Sequence, residues 1–215
     1  MIMLLSMVTS KTQRRTQAER SAATRRKILR AARDIFISDG YTATTMTRIA
    51  ERAGVAVQTV YFVFHTKGEL LTKVYEAAVL GDRHPTPPGE TDWYQRASTS
   101  RDGRQAIAAF VSGAAAILRR TAPLEAVVQT ASPTEPVLQA AHEHGEQLRA
   151  QGYRRLVDTL MQRGLLREDT DPGEATDVLL SIVGPHMYAT LTTDRGWNHQ
   201  KYVDWASRSV PCLLL

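Results

Sequence analysis

The chain holds one cysteine in 215 residues, Cys212, so an intrachain disulfide is excluded and a multi-cysteine zinc site has no ligands to draw on. It has no stretch approaching the roughly 20 consecutive apolar residues of a membrane helix, which argues against a bilayer-spanning protein. The apolar opening, Met1 to Val8, has no basic segment ahead of it and no small-residue cleavage site after it. It therefore makes a poor signal peptide, and the expected location is the cytoplasm. Met7 follows an apolar hexapeptide without evident role and is an alternative start to Met1. A glycine-rich phosphate loop, a nucleophile elbow and a repeated acidic constellation are all missing, so the sequence reads as no enzyme and implies no cofactor. Internal repeats and β-type alternation are missing as well, which leaves helical periodicity throughout and an all-α fold class.

What is present suffices for a folded protein, since 43% of residues are hydrophobic and 23% charged. The charge is unevenly placed. Residues 1–83 carry fourteen lysines and arginines against seven acids, a balance of +7, whereas residues 84–215 carry thirteen against fifteen, or −2. The first thirty-three residues are the most basic, with Lys11, Arg14, Arg15, Arg20, Arg25, Arg26, Lys27, Arg30 and Arg33 facing only Glu19. Such a block suits an arm along a polyanion, because each cation placed on a phosphate releases a condensed counterion. A solvated basic tail is the alternative reading. The run HPTPPGE at 84–90 cannot be helical through its length and marks a loop where the charge balance changes sign. These signals divide the chain into a flexible basic arm at 1–20, a basic part at 21–83, and a larger helical part at 84–215.

Within the first part, Ile28, Ala32, Ile35 and Phe36 form one apolar stripe that ends at Gly40, a natural residue for the left-handed turn after a helix. Thr45 can cap a second helix on which Met46, Ile49, Ala50 and Ala53 recur before Gly54 stops it. A third short segment, from Ala56 to Phe62, has Val60 and Phe64 as inward residues and leaves Gln58, Thr59 and Tyr61 for a surface. Thr66 to Glu69 then forms a capping box for a helix with Leu70, Leu71, Val74, Tyr75 and Ala78 on its apolar face. Two short helices joined by a glycine turn, between a longer helix and a capped one, are a helix-turn-helix in context.

The string TTMTRIAERAGVAVQTVYFVFHTKGELL at 44–71, preceded by RKILRAARDIFISDGYTATT, resembles the DNA-binding domain of the TetR family of bacterial transcriptional regulators. The likeness spans roughly residues 21–80 and continues beyond them only as an expected all-helical architecture. It implies that Val57, Gln58 and Thr59 face the major groove, that Thr47 contacts bases, and that Tyr61 and Lys67 bind phosphates. Thr45, Arg48, Phe62, Arg25 and Arg26 complete the candidate DNA-contacting set. Gln58 is the best base reader by chemistry, since its amide can pair with adenine N6 and N7. Periodicity alone would place Val57 in the core with Val60 and Phe64. Two positions depart from the family pattern. Ala56 stands where Ser or Thr is the usual cap, at a cost of about 1 kcal/mol of local helix stability, and Val63 stands where an aromatic or histidine is usual.

In the larger part, Ile107, Phe110, Val111, Ala114, Ile117 and Leu118 make one helical stripe, and Pro123 begins a new short segment. A long helix is predicted from about Glu135 to Arg163, with Leu138, Ala141, Gly145, Leu148 and Gly152 on its contact face. The Asp171-Pro172 pair starts a further helix with Ala175, Val178, Leu179, Ile182 and Val183 inward, interrupted at Gly184-Pro185. The last helix runs from Asn198 with Tyr202, Trp205, Ala206, Ser209 and Leu213 on one side, and Pro211 either ends it early or kinks it. The family resemblance implies a homodimer through a four-helix interface built from 172–192 and 198–214, with Leu179, Ile182, Val183, Tyr202, Trp205 and Leu213 as candidates. It also implies a small-molecule effector pocket, for which Phe110, Met161, His186, Met187 and Tyr188 are candidates, His186 being read as buried. The HEHGE run at 142–146 puts His142 and Glu146 one turn apart, too few ligands for a metal. The function implied is a ligand-responsive, dimeric repressor of an inverted-repeat operator. A metal-sensing regulator and a non-specific basic DNA-packaging protein are the alternatives.

Overall fold

The computed structural model describes residues 2–81 and 85–215, with side chains given from Thr16 onward. Met1, the side chains of Lys11, Arg14 and Arg15 in the basic arm, and His84 at the head of the proline-rich loop lie outside the described residues. Every regular element among the described residues is helical. They divide into two compact units, Met1–Val74 and Tyr75–Leu215.

The first unit contains α1 (Ile2–Ala43), α2 (Met46–Ala53), α3 (Val57–Phe64) and the start of α4 (Lys67–Leu80). The helix of α1 begins well before Ser21, where an arm was expected, because Gln17, Ala18, Glu19 and Arg20 are good helix formers and no breaker occurs before Gly40. At Gly40 the backbone takes φ 74°, and the helical path breaks there. Ile28, Ala32, Phe36, Ile49, Val60, Phe64, Leu70 and Leu71 are all completely buried, so each predicted stripe is turned inward. The boundary between the units falls inside α4 instead of at residues 84–90. The far half of α4 is tied to the larger unit: the Tyr75 hydroxyl donates to Glu125 at 3.0 Å, and Arg120 donates to the Ala78 and Val79 carbonyls at 2.7 and 3.0 Å.

The second unit continues with α5 (Asp92–Thr99), α6 (Gly103–Ala131), α7 (Pro136–Gln162), α8 (Pro172–Ile182), α9 (Pro185–Ala189), a π-helical turn at Thr190–Asp194, and α10 (His199–Leu214). Pro123 starts no new segment and lies inside α6. An interior proline costs a helix about 3 kcal/mol. Here the helix continues because Leu124, Val127, Val128 and Ala131 are all buried beyond it. Against the expectation from apolar runs, α6 is long and apolar enough by composition to cross a membrane, but its Ile107–Phe110–Val111–Ala114–Leu118 face forms the core of this unit. The contact face of α7 also differs from the predicted one. Gly145 and Leu148 are exposed, and the buried residues are Leu138, Tyr153, Leu156, Val157 and Leu160. Alanine and glycine supply too little apolar area to hold a face inward. Pro211 does not end α10 early, and the helix runs on to Leu214 with Pro211 buried.

Candidate nucleic-acid interface and effector region

The second and third helices are set by local chemistry. Thr45 caps α2 by accepting from the Arg48 amide at 3.2 Å. Gly54 ends it at φ 66°, ψ 43°, its amide bonding back to the Ala50 and Glu51 carbonyls. Ala56, with no side-chain oxygen to offer, leaves α3 uncapped. Val60 and Phe64 turn inward, so the opposite face of α3 presents Gln58, Tyr61 and Phe62, with Tyr61 50% and Phe62 83% exposed. Val57 and Thr59 are half-buried at the edges of that face, so Val57 is divided between the two readings. Thr45, Thr47, Arg48 and Arg26 are exposed as well.

Three of the expected DNA-contacting cations already have partners inside the unit. The Lys67 ammonium donates to the Tyr41 and Thr44 carbonyls at 2.9 and 3.1 Å and lies 4.1 Å from the Tyr41 ring centre. It closes the end of α1 onto the start of α4. Arg48 pairs with Asp39 at 2.5 Å, and the Arg25 guanidinium lies 4.5 Å over the Phe64 ring. These side chains therefore brace the helices that carry the exposed face of α3.

The effector candidates are dispersed. Phe110 is buried against Tyr153, ring centres 4.7 Å apart, within an aromatic group that includes Trp93 and Tyr94. Tyr188 is also buried, packed edge-on to Tyr202 at 4.7 Å, with its hydroxyl 3.0 Å from His199 Nδ1. Met161 and Met187 are half-buried, but His186 is exposed, which corrects its expected burial. The helix stops at Ile182 and restarts at Pro185, so the periodicity that placed His186 inward does not carry across the break. Tyr188 takes the inward place.

Sequence reasoning missed a set of buried polar groups in this unit. Glu125, 8% exposed, accepts from the Tyr75 hydroxyl and lies 4.0 Å from His142 Nε2. Burial, and then the Glu125 charge, push the Tyr75 phenol well above its usual range. Arg149 pairs with Glu146, while its Nε and Nη1 are buried without a hydrogen-bond partner. Nη1 approaches Gly184, and the Tyr153 hydroxyl donates to the Val183 carbonyl at 2.8 Å. The available signal was a lone acid, Glu125, inside an otherwise apolar run. Among the described residues no three histidine, cysteine, aspartate or glutamate side chains are gathered to hold a metal ion.

Of the six dimer candidates, Leu179, Val183 and Tyr202 are completely buried in this unit's own core and have no surface to give a partner. Ile182 and Trp205 are half-buried and Leu213 is 51% exposed. The inward face of α10 is Tyr202, Val203, Ala206, Val210 and Leu214, one residue out of phase with the predicted stripe at its far end.

Comparison with known proteins connects this geometry to a family. The model described as "Bacterial regulatory proteins, tetR family" matches residues 28–74. The tetracycline repressor protein class A from transposon 1721 of Escherichia coli is 33% identical over 89 residues, a match that takes in 40% of this chain and 41% of the repressor. Among solved structures, a candidate TetR-family transcriptional regulator from Mesorhizobium loti superposes with a TM-score of 0.70 at 23% identity, over 90% of this chain and 96% of that one. The SmeT–triclosan complex superposes with a TM-score of 0.68 at 21% identity, over 90% and 92%. At these identities the structural likeness concerns the fold.

Proposed function

We propose that the chain is a TetR-family transcriptional regulator, most simply a repressor released from its operator by a small molecule, on the match of residues 28–74 to the family model and the likeness to the tetracycline repressor. The observation that carries this reading is the exposed edge of α3, where Gln58, Tyr61 and Phe62 stand outward from a helix braced on α2 by the Gly54 turn. A helix so presented fits the major groove, where a glutamine amide meets adenine and a tyrosine hydroxyl can reach phosphate. The basic N-terminal residues supply the polyanion attraction. One such helix spans too few base pairs for specificity, so two copies of the chain act on an inverted repeat. Residues 21–83 read DNA, and residues 84–215 take the effector and pair with their copy, in the cytoplasm where the operator lies. The effector role is supported by relatives: one is named for tetracycline, and SmeT is solved with triclosan.

The test is selection of sheared genomic DNA on the purified protein at near-physiological salt, followed by sequencing. One or a few inverted repeats are expected, with Gln58→Ala relaxing base preference and Tyr61→Phe weakening all duplexes alike. Uniform retention that vanishes as salt rises would favour a packaging protein instead.

A further inference from the structure

The recognition segment Val57–Phe64 contains no charged residue, so its outward face must discriminate by hydrogen bonding and shape. That face is the series Gln58, Tyr61, Phe62 and His65, at the i, i+3, i+4, i+7 spacing of one helical stripe. Phe62 is the most exposed of the large apolar side chains described, at 83%, and so has little part in holding the first unit together. A phenyl ring cannot bond a phosphate or a base edge. The apolar feature that the major groove offers is the C5-methyl group of thymine. Phe62 lies one turn beyond Gln58, about 6 Å along the helix axis, which corresponds to about two base-pair steps.

The geometry points to Phe62 as a specificity-determining residue that reads a thymine methyl, about two steps from the adenine read by Gln58. This rests on the DNA-binding reading above. It implies an operator with an adenine and a thymine under each copy of α3, read by one polar and one apolar contact.

The experiment takes the duplex recovered from the genomic selection and replaces each thymidine in turn with deoxyuridine, which removes only the methyl group. Wild type, Phe62→Ala and Gln58→Ala proteins are titrated against the series. Wild type is expected to lose about fourfold affinity at one thymine per half-site, the amount that burying one methyl group supplies. Phe62→Ala should show no loss at that position, while Gln58→Ala retains it. The thermal midpoint of Phe62→Ala should match wild type, since the ring is exposed. The inference is overturned if no thymine is sensitive in wild type, or if Phe62→Ala keeps the same sensitivity. A selection that yields no preferred duplex would instead remove the DNA-binding reading itself.

Discussion

Lys67 shows how a residue expected to touch a ligand can serve the scaffold. Its ammonium has three protons, and two of them go to the Tyr41 and Thr44 carbonyls at the end of α1. Charge-assisted hydrogen bonds of this kind contribute roughly 1.5–3 kcal/mol. Lys67→Met should lower the stability of the first unit by about that amount, with DNA affinity falling in consequence, as urea melts run beside binding titrations would record. Unchanged melts with weaker binding to every duplex would give the lysine to phosphate alone. The resemblance identified the position, but only the folded path of residues 41–44 reveals the carbonyls that hold the side chain. Glu125 and Arg149 were hidden for a related reason: a charged residue on an apolar helix face has no sequence marker for the partner that meets it across the fold.

At the scale of elements, α2 and α3 were legible almost to the residue. Thr45, Gly54 and the alternation of Met46, Ile49 and Ala50 are strong local signals in a stretch too short to drift out of phase. The α5 helix was not legible, because Ala97 is its one buried residue and no stripe exists to read. The α8–α9 break misled for the opposite reason, since a real period was continued past the point where Gly184-Pro185 resets it. The start of α10 carries a pH dependence. Burial, and then the charge of Arg119, hold the His199 pKa below its usual 6.5. Above that value both folded and unfolded chains carry a neutral ring. As the pH falls through about 6.5, the unfolded chain takes up a proton that the folded one resists, and stability declines until the folded ring also protonates. His199→Gln should flatten part of this slope, and melting temperatures of both proteins between about pH 5 and 8 would measure the difference. A slope equal in the two proteins would assign it to other groups.

For the whole molecule, the charge asymmetry read from the sequence agrees with the proposed division of labour between a basic reader and a near-neutral remainder. The all-helical class was legible because periodicity sums over many turns. The proposed pairing surface was less so, since the same apolar residues can serve a core or a partner and the sequence does not say which. Leu179, Val183 and Tyr202 went to the core. Leu213 remains available at 51% exposed. If α10 pairs with its copy, Leu213→Asp should shift sedimentation toward the monomer while leaving helical content unchanged. A variant that sediments as wild type would move the interface elsewhere.

The three tryptophans, Trp93, Trp197 and Trp205, all fall within Tyr75–Leu215. Trp93 packs against Gly113, where even a methyl group would run into the indole, and Trp197 and Trp205 meet edge to face at 6.0 Å. Intrinsic emission from this protein is therefore a one-sided gauge. Indole emission never originates in α1, α2 or α3, so a shift in colour or intensity on adding a candidate inducer reports the larger unit directly. The natural protein thus carries its own ligand-screening dye, already placed and needing no label.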